Sequence, residues 1–110
     1  MEERIIRINK RFGGRLEHPS NLMFDIEQAK RIANNPFKRN AYVIRGIVIG
    51  HPFSDANKRT ATYFVTQEFK MQNYKYDEEM IVRGIKRIAE KGTNKIPIIE
   101  GKLRKWYTKK

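Results

Sequence analysis

One stretch of this chain has little choice about where it sits. "AYVIRGIVIG", residues 41 to 50, carries Ala41, Tyr42, Val43, Ile44, Ile47, Val48 and Ile49. These side chains cover nearly the whole circumference of a helix, and such a segment belongs in the middle of a bundle. Residues 38 to 50 are therefore read as a central helix. Gly46 and Gly50 weaken that reading by about 1 kcal/mol each relative to Ala. A buried strand is the competing reading.

The flanking segments favour helices. Residues 3 to 10, with Ile5, Ile6 and Ile8, fit a short helix better than a strand. "FGGRLEHPSN", 12 to 21, is a loop by its paired glycines and its proline. Ser20 is placed to cap a helix with apolar positions Leu22, Ile26, Ala29 and Ala33. "NNPF", 34 to 37, ends that helix. Beyond the central run, a helix extends to about Asn73, with Ala61, Phe64, Val65 and Phe69 on one side. Residues 76 to 92 form a well-marked helix: Asp77 caps it, Glu78 and Glu79 suit its positive end, and Gly92 stops it. Tyr76 and Ile81 stand at the staple positions. A last helix runs from about Pro97 to Tyr107 and buries Ile99, Leu103 and Trp106. The expectation is an all-α, compact bundle of five or six helices.

With 110 residues the chain fits a single domain, 1–110. Its apolar content of 39% is enough for a packed core. There is no cysteine, hence no disulfide framework and no thiolate zinc site. No stretch reaches the roughly 20 apolar residues of a membrane span, and "MEERIIRINK" is too charged for a signal peptide. A cytoplasmic protein is expected. The formal charge of +12 suggests a polyanionic partner, or simply many solvated lysines.

Between the two central helices lies "HPFSDANKRTA", residues 51 to 61. Lys58 and Arg59 fall in a first helical turn, where the helix dipole opposes cations by a few tenths to about 1 kcal/mol each. A bound anion would reverse that balance. His51 is either a general base or a helix-terminal donor to a carbonyl. Phe53 is read as a core anchor that pins the loop. Asp55 is either a Mg²⁺ ligand shared with phosphate or an N-cap. Ala56 is small enough to let backbone N–H groups approach an anion. Asn57 either binds a phosphate oxygen or braces the loop. Arg59 suits a bidentate phosphate clamp and Lys58 a point charge; the competing reading is a solvated pair in a basic protein. Thr60 reads as a cap or an auxiliary ligand.

The same residues resemble the Fic/Doc family motif, H-x-F-x-[D/N]-[A/G]-N-[K/G]-R, met at His51, Phe53, Asp55, Ala56, Asn57, Lys58 and Arg59. "TATYFVTQEF" after the motif also resembles Doc-type proteins, and "NKRFGG" and "NLMFDIEQAK" do so more loosely. The resemblance implies a helical bundle with the motif loop joining two central helices. Fic members transfer AMP from ATP to protein hydroxyls and have Gly where Lys58 stands. Doc members have Lys there and transfer the γ-phosphoryl group to a threonine of elongation factor Tu. Lys58 and Ala56 thus put the chain nearer the Doc branch. By position, the resemblance implies His51 as base, Asp55 as the Mg²⁺ ligand, and Ala56, Asn57, Lys58 and Arg59 as the nucleotide-phosphate site, with ATP and Mg²⁺ as cofactors. A toxin of this kind implies an antitoxin protein. The inhibitory motif of some Fic proteins, [S/T]-x-x-x-E-[G/N], is matched only at Glu100 and Gly101, with Ile96 in place of Ser or Thr.

The alternative within the same chemistry is AMP transfer. An alternative of another class is a basic nucleic-acid-binding or scaffolding module with a silent loop. The +12 charge supports it. The lack of a recognisable nucleic-acid motif speaks against it.

Overall fold

The computed structural model describes residues 1–108. It contains six helices: α1 (Glu2–Arg11), α2 (Pro19–Lys30), α3 (Pro36–Ile44), α4 (Asn57–Met71), α5 (Glu78–Lys91) and α6 (Ile96–Trp106). The all-α expectation holds. Two short strands, β1 (Lys75–Tyr76) and β2 (Tyr107–Thr108), pair antiparallel and tie the start of α5 to the end of α6. Among the described residues, no helix is long and apolar enough to cross a membrane.

The charges of α1 match its dipole, with Glu2 and Glu3 in the first turn and Lys10 and Arg11 in the last. It buries Ile5, Ile8 and Asn9. Helix α2 starts earlier than the Ser20 cap would place it. His18 is the N-cap residue without a side-chain cap bond, and Pro19 opens the helix. Proline suits that position because its missing N–H is one that the first turn leaves unpaired anyway. The helix ends at Lys30 rather than Ala33, which is exposed.

The central segment is helical, not a strand. Its last turn differs from the expected α-helix: residues 45–49 form a π turn continuing α3. The Gly50 N–H donates to the Arg45 carbonyl, five residues back, at 3.0 Å. A Cβ on Gly50 would collide with the carbonyl oxygens of Gly46 and Asn21, so only glycine lets this turn approach α2 so closely. Asn21 Nδ2 donates to the Gly50 carbonyl at 2.9 Å, and Arg45 donates to Asp25 Oδ1 at 2.7 Å. The end of the central helix is thereby fixed against α2. The Asp25 carboxylate also holds the Arg45 guanidinium above its ordinary pKa, against the opposing effect of burial.

Helix α3 packs on α2 and α6, and α4 packs on α1 and α5. The buried apolar side chains form one continuous cluster, to which α4 contributes Ala61, Phe64, Val65 and Phe69. Helix α4 ends at Met71, and Asn73 follows in the left-handed region at φ 60°. Asp77 caps α5 by accepting from the Met80 N–H at 3.2 Å, and Gly92 ends it at φ 62°. Helix α6 begins one residue before the expected Pro97 and ends at Trp106.

Candidate active site

The segment from His51 to Ala56 joins the π turn to α4. Two of its residues are strained: His51 has φ 51° and Ala56 has φ 62°. Left-handed backbone at a non-glycine residue costs on the order of 1–3 kcal/mol and persists only where the surroundings enforce it. The neighbouring elements enforce it here. Phe53 is 2% exposed and plugs the loop into the core. The Ser54 N–H donates to the Arg15 carbonyl at 2.9 Å, and the Glu17 and His18 N–H groups both donate to the Pro52 carbonyl. A single bridge pairs Leu16 with Phe53. Asn9 Nδ2 donates to the Asp55 carbonyl at 2.8 Å and to Thr60 Oγ1 at 3.1 Å.

Asn57 braces this loop from inside. Its Oδ1 accepts from the Phe53 N–H at 3.1 Å, and its Nδ2 donates to the Phe53 carbonyl at 3.0 Å. The remaining amide hydrogen faces His51 Nδ1 at 3.3 Å. These bonds commit the Asn57 side chain to the loop, so its part in anion binding is left to its backbone N–H. The two bonds to Phe53 also fix which way the amide points. An amide nitrogen only donates, so Nδ1 accepts and the neutral His51 ring carries its proton on Nε2.

The cap of α4 is Ala56, not Asp55, and it makes no side-chain cap bond. Asp55 Oδ1 accepts from the Ala56 N–H at 2.7 Å, one residue ahead of the helix. Thr60 neither caps nor reaches the surface; it is buried against Asn9. The first helical turn therefore holds Asn57, Lys58 and Arg59 with no acidic residue. Lys58 and Arg59 make no ion pair among the described residues, whereas Arg4 and Arg39 pair with Glu68, Arg45 with Asp25, and Lys30 with Glu2. Arg59 lies with its guanidinium 5.4 Å from the centre of the Phe12 ring. Glu100 is on α6, paired with Arg104 at 2.9 Å, and does not line the site.

A cleft of about 520 Å³ opens over this turn. His51, Asp55, Ala56, Asn57, Lys58 and Arg59 line it, so six of the seven motif residues come together. The seventh, Phe53, lies beneath them. Val82 and Lys86 of α5 form the opposite wall. Sequence reading passed over these two and Asn9. Asn9 carried a signal, since it falls in the apolar stripe Ile5, Ile8, Phe12 of α1, where an amide needs a buried partner. Val82 and Lys86 share a helical face, but nothing local places α5 across from the loop.

The Fic/DOC family model matches residues 2–68, more than half of the chain. The chain belongs to the Fic/DOC family. Among curated proteins and among solved structures, nothing matches it. As a Fic/DOC member it falls in a family of protein-modifying transferases. The cleft suits such chemistry: a side chain able to take a proton stands beside an uncapped, cationic helix start. Asp55 fits a divalent ion shared with phosphate, because its Oδ2 makes no hydrogen bond among the described residues. No cluster of three or more His, Cys, Asp or Glu side chains exists among those residues, so a metal here would draw its other ligands from phosphate and water.

Proposed function

We propose that this chain is a Doc-like kinase, transferring the γ-phosphoryl group of ATP to a hydroxyl of a target protein. The carrying observation is Lys58 in the first turn of a helix that no side chain caps. There the backbone N–H groups, the helix dipole and two cationic side chains border one cleft. Such an arrangement is unfavourable when empty and favourable with phosphate bound.

In this reading, Lys58 and Arg59 hold phosphate oxygens and stabilise the charge that spreads over them during transfer. Asp55 would hold a Mg²⁺ ion, which would supply neutralisation of phosphate charge. His51 accepts the proton of the target hydroxyl as its oxygen bonds to phosphorus and ADP leaves. If Nε2 is the base, the ring adopts the opposite tautomer and gives up Asn57. If Nδ1 is the base, the hydroxyl displaces the Asn57 amide. Either route breaks one 3.3 Å contact and leaves the two bonds from Asn57 to Phe53 intact. The target is a translation factor of the elongation factor Tu type, and an antitoxin protein restrains the enzyme as a toxin–antitoxin pair. Both follow from likeness to the Doc branch.

Lys58 also separates this reading from AMP transfer. Its side chain occupies space that would otherwise admit the α- and β-phosphates at the helix start. The test uses ATP labelled separately at the α- and γ-phosphate, with cell lysate as the source of target. Wild type is expected to pass only γ-label to protein, and Lys58→Gly to lose that transfer. α-Label in the protein would establish AMP transfer instead. Undiminished γ-transfer by folded Lys58→Gly would remove the basis for the kinase assignment.

A further inference from the structure

The wall facing the motif loop comes from α5, and α5 has a fixed orientation. Ile81, Ile85 and Ile88 are fully buried, which sets the rotation of the helix on the core. Val82 and Lys86, one helical turn apart, are thereby turned toward the loop. A second recess of about 350 Å³ adjoins the main cleft, lined by Val48, Ala89 and Glu90. Four residues line both spaces: His51, Asn57, Lys58 and Lys86. Lys86 thus stands where the two spaces meet, on the opposite wall from Lys58.

Among the described residues, only a weak ion pair engages Lys86. Its carboxylate partner is Glu90, at 4.0 Å, and the two side chains are 69% and 62% exposed. A pair so distant and solvated contributes almost nothing, so the ammonium is free to turn to a stronger partner. Around the main cleft, Lys58, Arg59 and Lys86 face a single carboxylate, Asp55. That leaves a net charge of about +2, and a divalent ion on Asp55 would raise it beyond the roughly −2 of a single phosphate group.

We propose that Lys86 is the second jaw of a polyphosphate clamp, closing from α5 on a chain of phosphates whose other side rests on the α4 N-terminus. This rests on the reading of the cleft as a phosphate site and specifies its ligand. The site selects nucleoside triphosphates over monophosphates because a chain of phosphates offers anionic oxygens to the cations of both walls at once. Lys86 acts by binding and positioning; the proton transfer remains with His51.

Calorimetry with ATP and with AMP tests this on the whole chain. The variants are Lys86→Met, Lys86→Arg, Arg59→Ala and, as a charge control away from the cleft, Lys91→Met. Lys86→Met is expected to weaken ATP binding about tenfold, the loss of one charge-assisted contact at an exposed site. AMP binding should fall by a smaller factor, Lys86→Arg should bind ATP as wild type does, and Lys91→Met should change neither ligand. Unchanged ATP affinity in Lys86→Met, with affinity lost in Arg59→Ala, would overturn the clamp and leave the phosphate site standing. Equal affinity of wild type for ATP and AMP would also overturn it. Failure of wild type to bind ATP would remove the phosphate site, and the clamp with it.

Discussion

Ala56 carries the cap of α4 in a backbone conformation that disfavours any side chain with a Cβ. Glycine there removes a penalty of about 1–2 kcal/mol and adds back about 0.5–1 in unfolded-chain entropy. Ala56→Gly is therefore expected to stabilise the protein by up to about 1.5 kcal/mol, read from urea midpoints at constant m. Destabilisation would show that the Ala56 methyl packs in a way that outweighs its strain. Asn9 presents the opposite case. Its amide bonds the Asp55 carbonyl and Thr60, and Asn9 itself is fully buried. Asn9→Ala leaves both partners unpaired and should cost about 1–3 kcal/mol. A loss below about 0.5 kcal/mol would mean that water replaces the amide at no penalty. That the motif residues would gather at one turn was legible because they are local: an imidazole, a carboxylate and two cations within nine positions. Asn57 was legible only as two options, since sequence does not say whether an amide faces a ligand or its own loop.

At the level of helices, the sequence read well wherever the determinants lay within one turn of each other. The Asp77 cap and the Gly92 stop of α5 are where the chain places them. Ser20 failed as a cap because Pro19, a residue earlier, is itself a good first helical residue. The π turn was not legible, because it follows from the close approach of Gly50 to α2 and not from any local pattern. Nor were β1 and β2, since two-residue strands depend on a partner over 30 positions away. One pair between helices makes a pH prediction. Glu2 of α1 has its pKa lowered, first by a backbone hydrogen bond and then by Lys30 of α2. A lowered carboxylate pKa stabilises the fold above its ordinary value of 4.5, and that contribution disappears as pH falls through the lowered value. Glu2→Gln should therefore melt below wild type at pH 6 by a small margin that closes in acid. A gap that widened as pH fell would contradict the coupling.

Across the whole molecule, the +12 charge had two readings, a polyanionic partner or solvated lysines. Three of the cations converge on one cleft, which gives part of that charge a specific use. That convergence needed the tertiary fold, because Lys86 reaches the site only through the packing of α5 on α4. The account rests on a base and an uncapped helix start acting together on ATP and a protein hydroxyl. The measurement that tests it most directly is transfer of γ-label from ATP to protein by wild type and by His51→Ala, with circular dichroism to confirm that both are folded. The account predicts labelled protein with wild type and a rate about 10²- to 10⁴-fold lower with His51→Ala, the usual loss on removing a positioned base, while ATP binding persists. Equal labelling by the two proteins, or none from wild type in the presence of Mg²⁺, would contradict it.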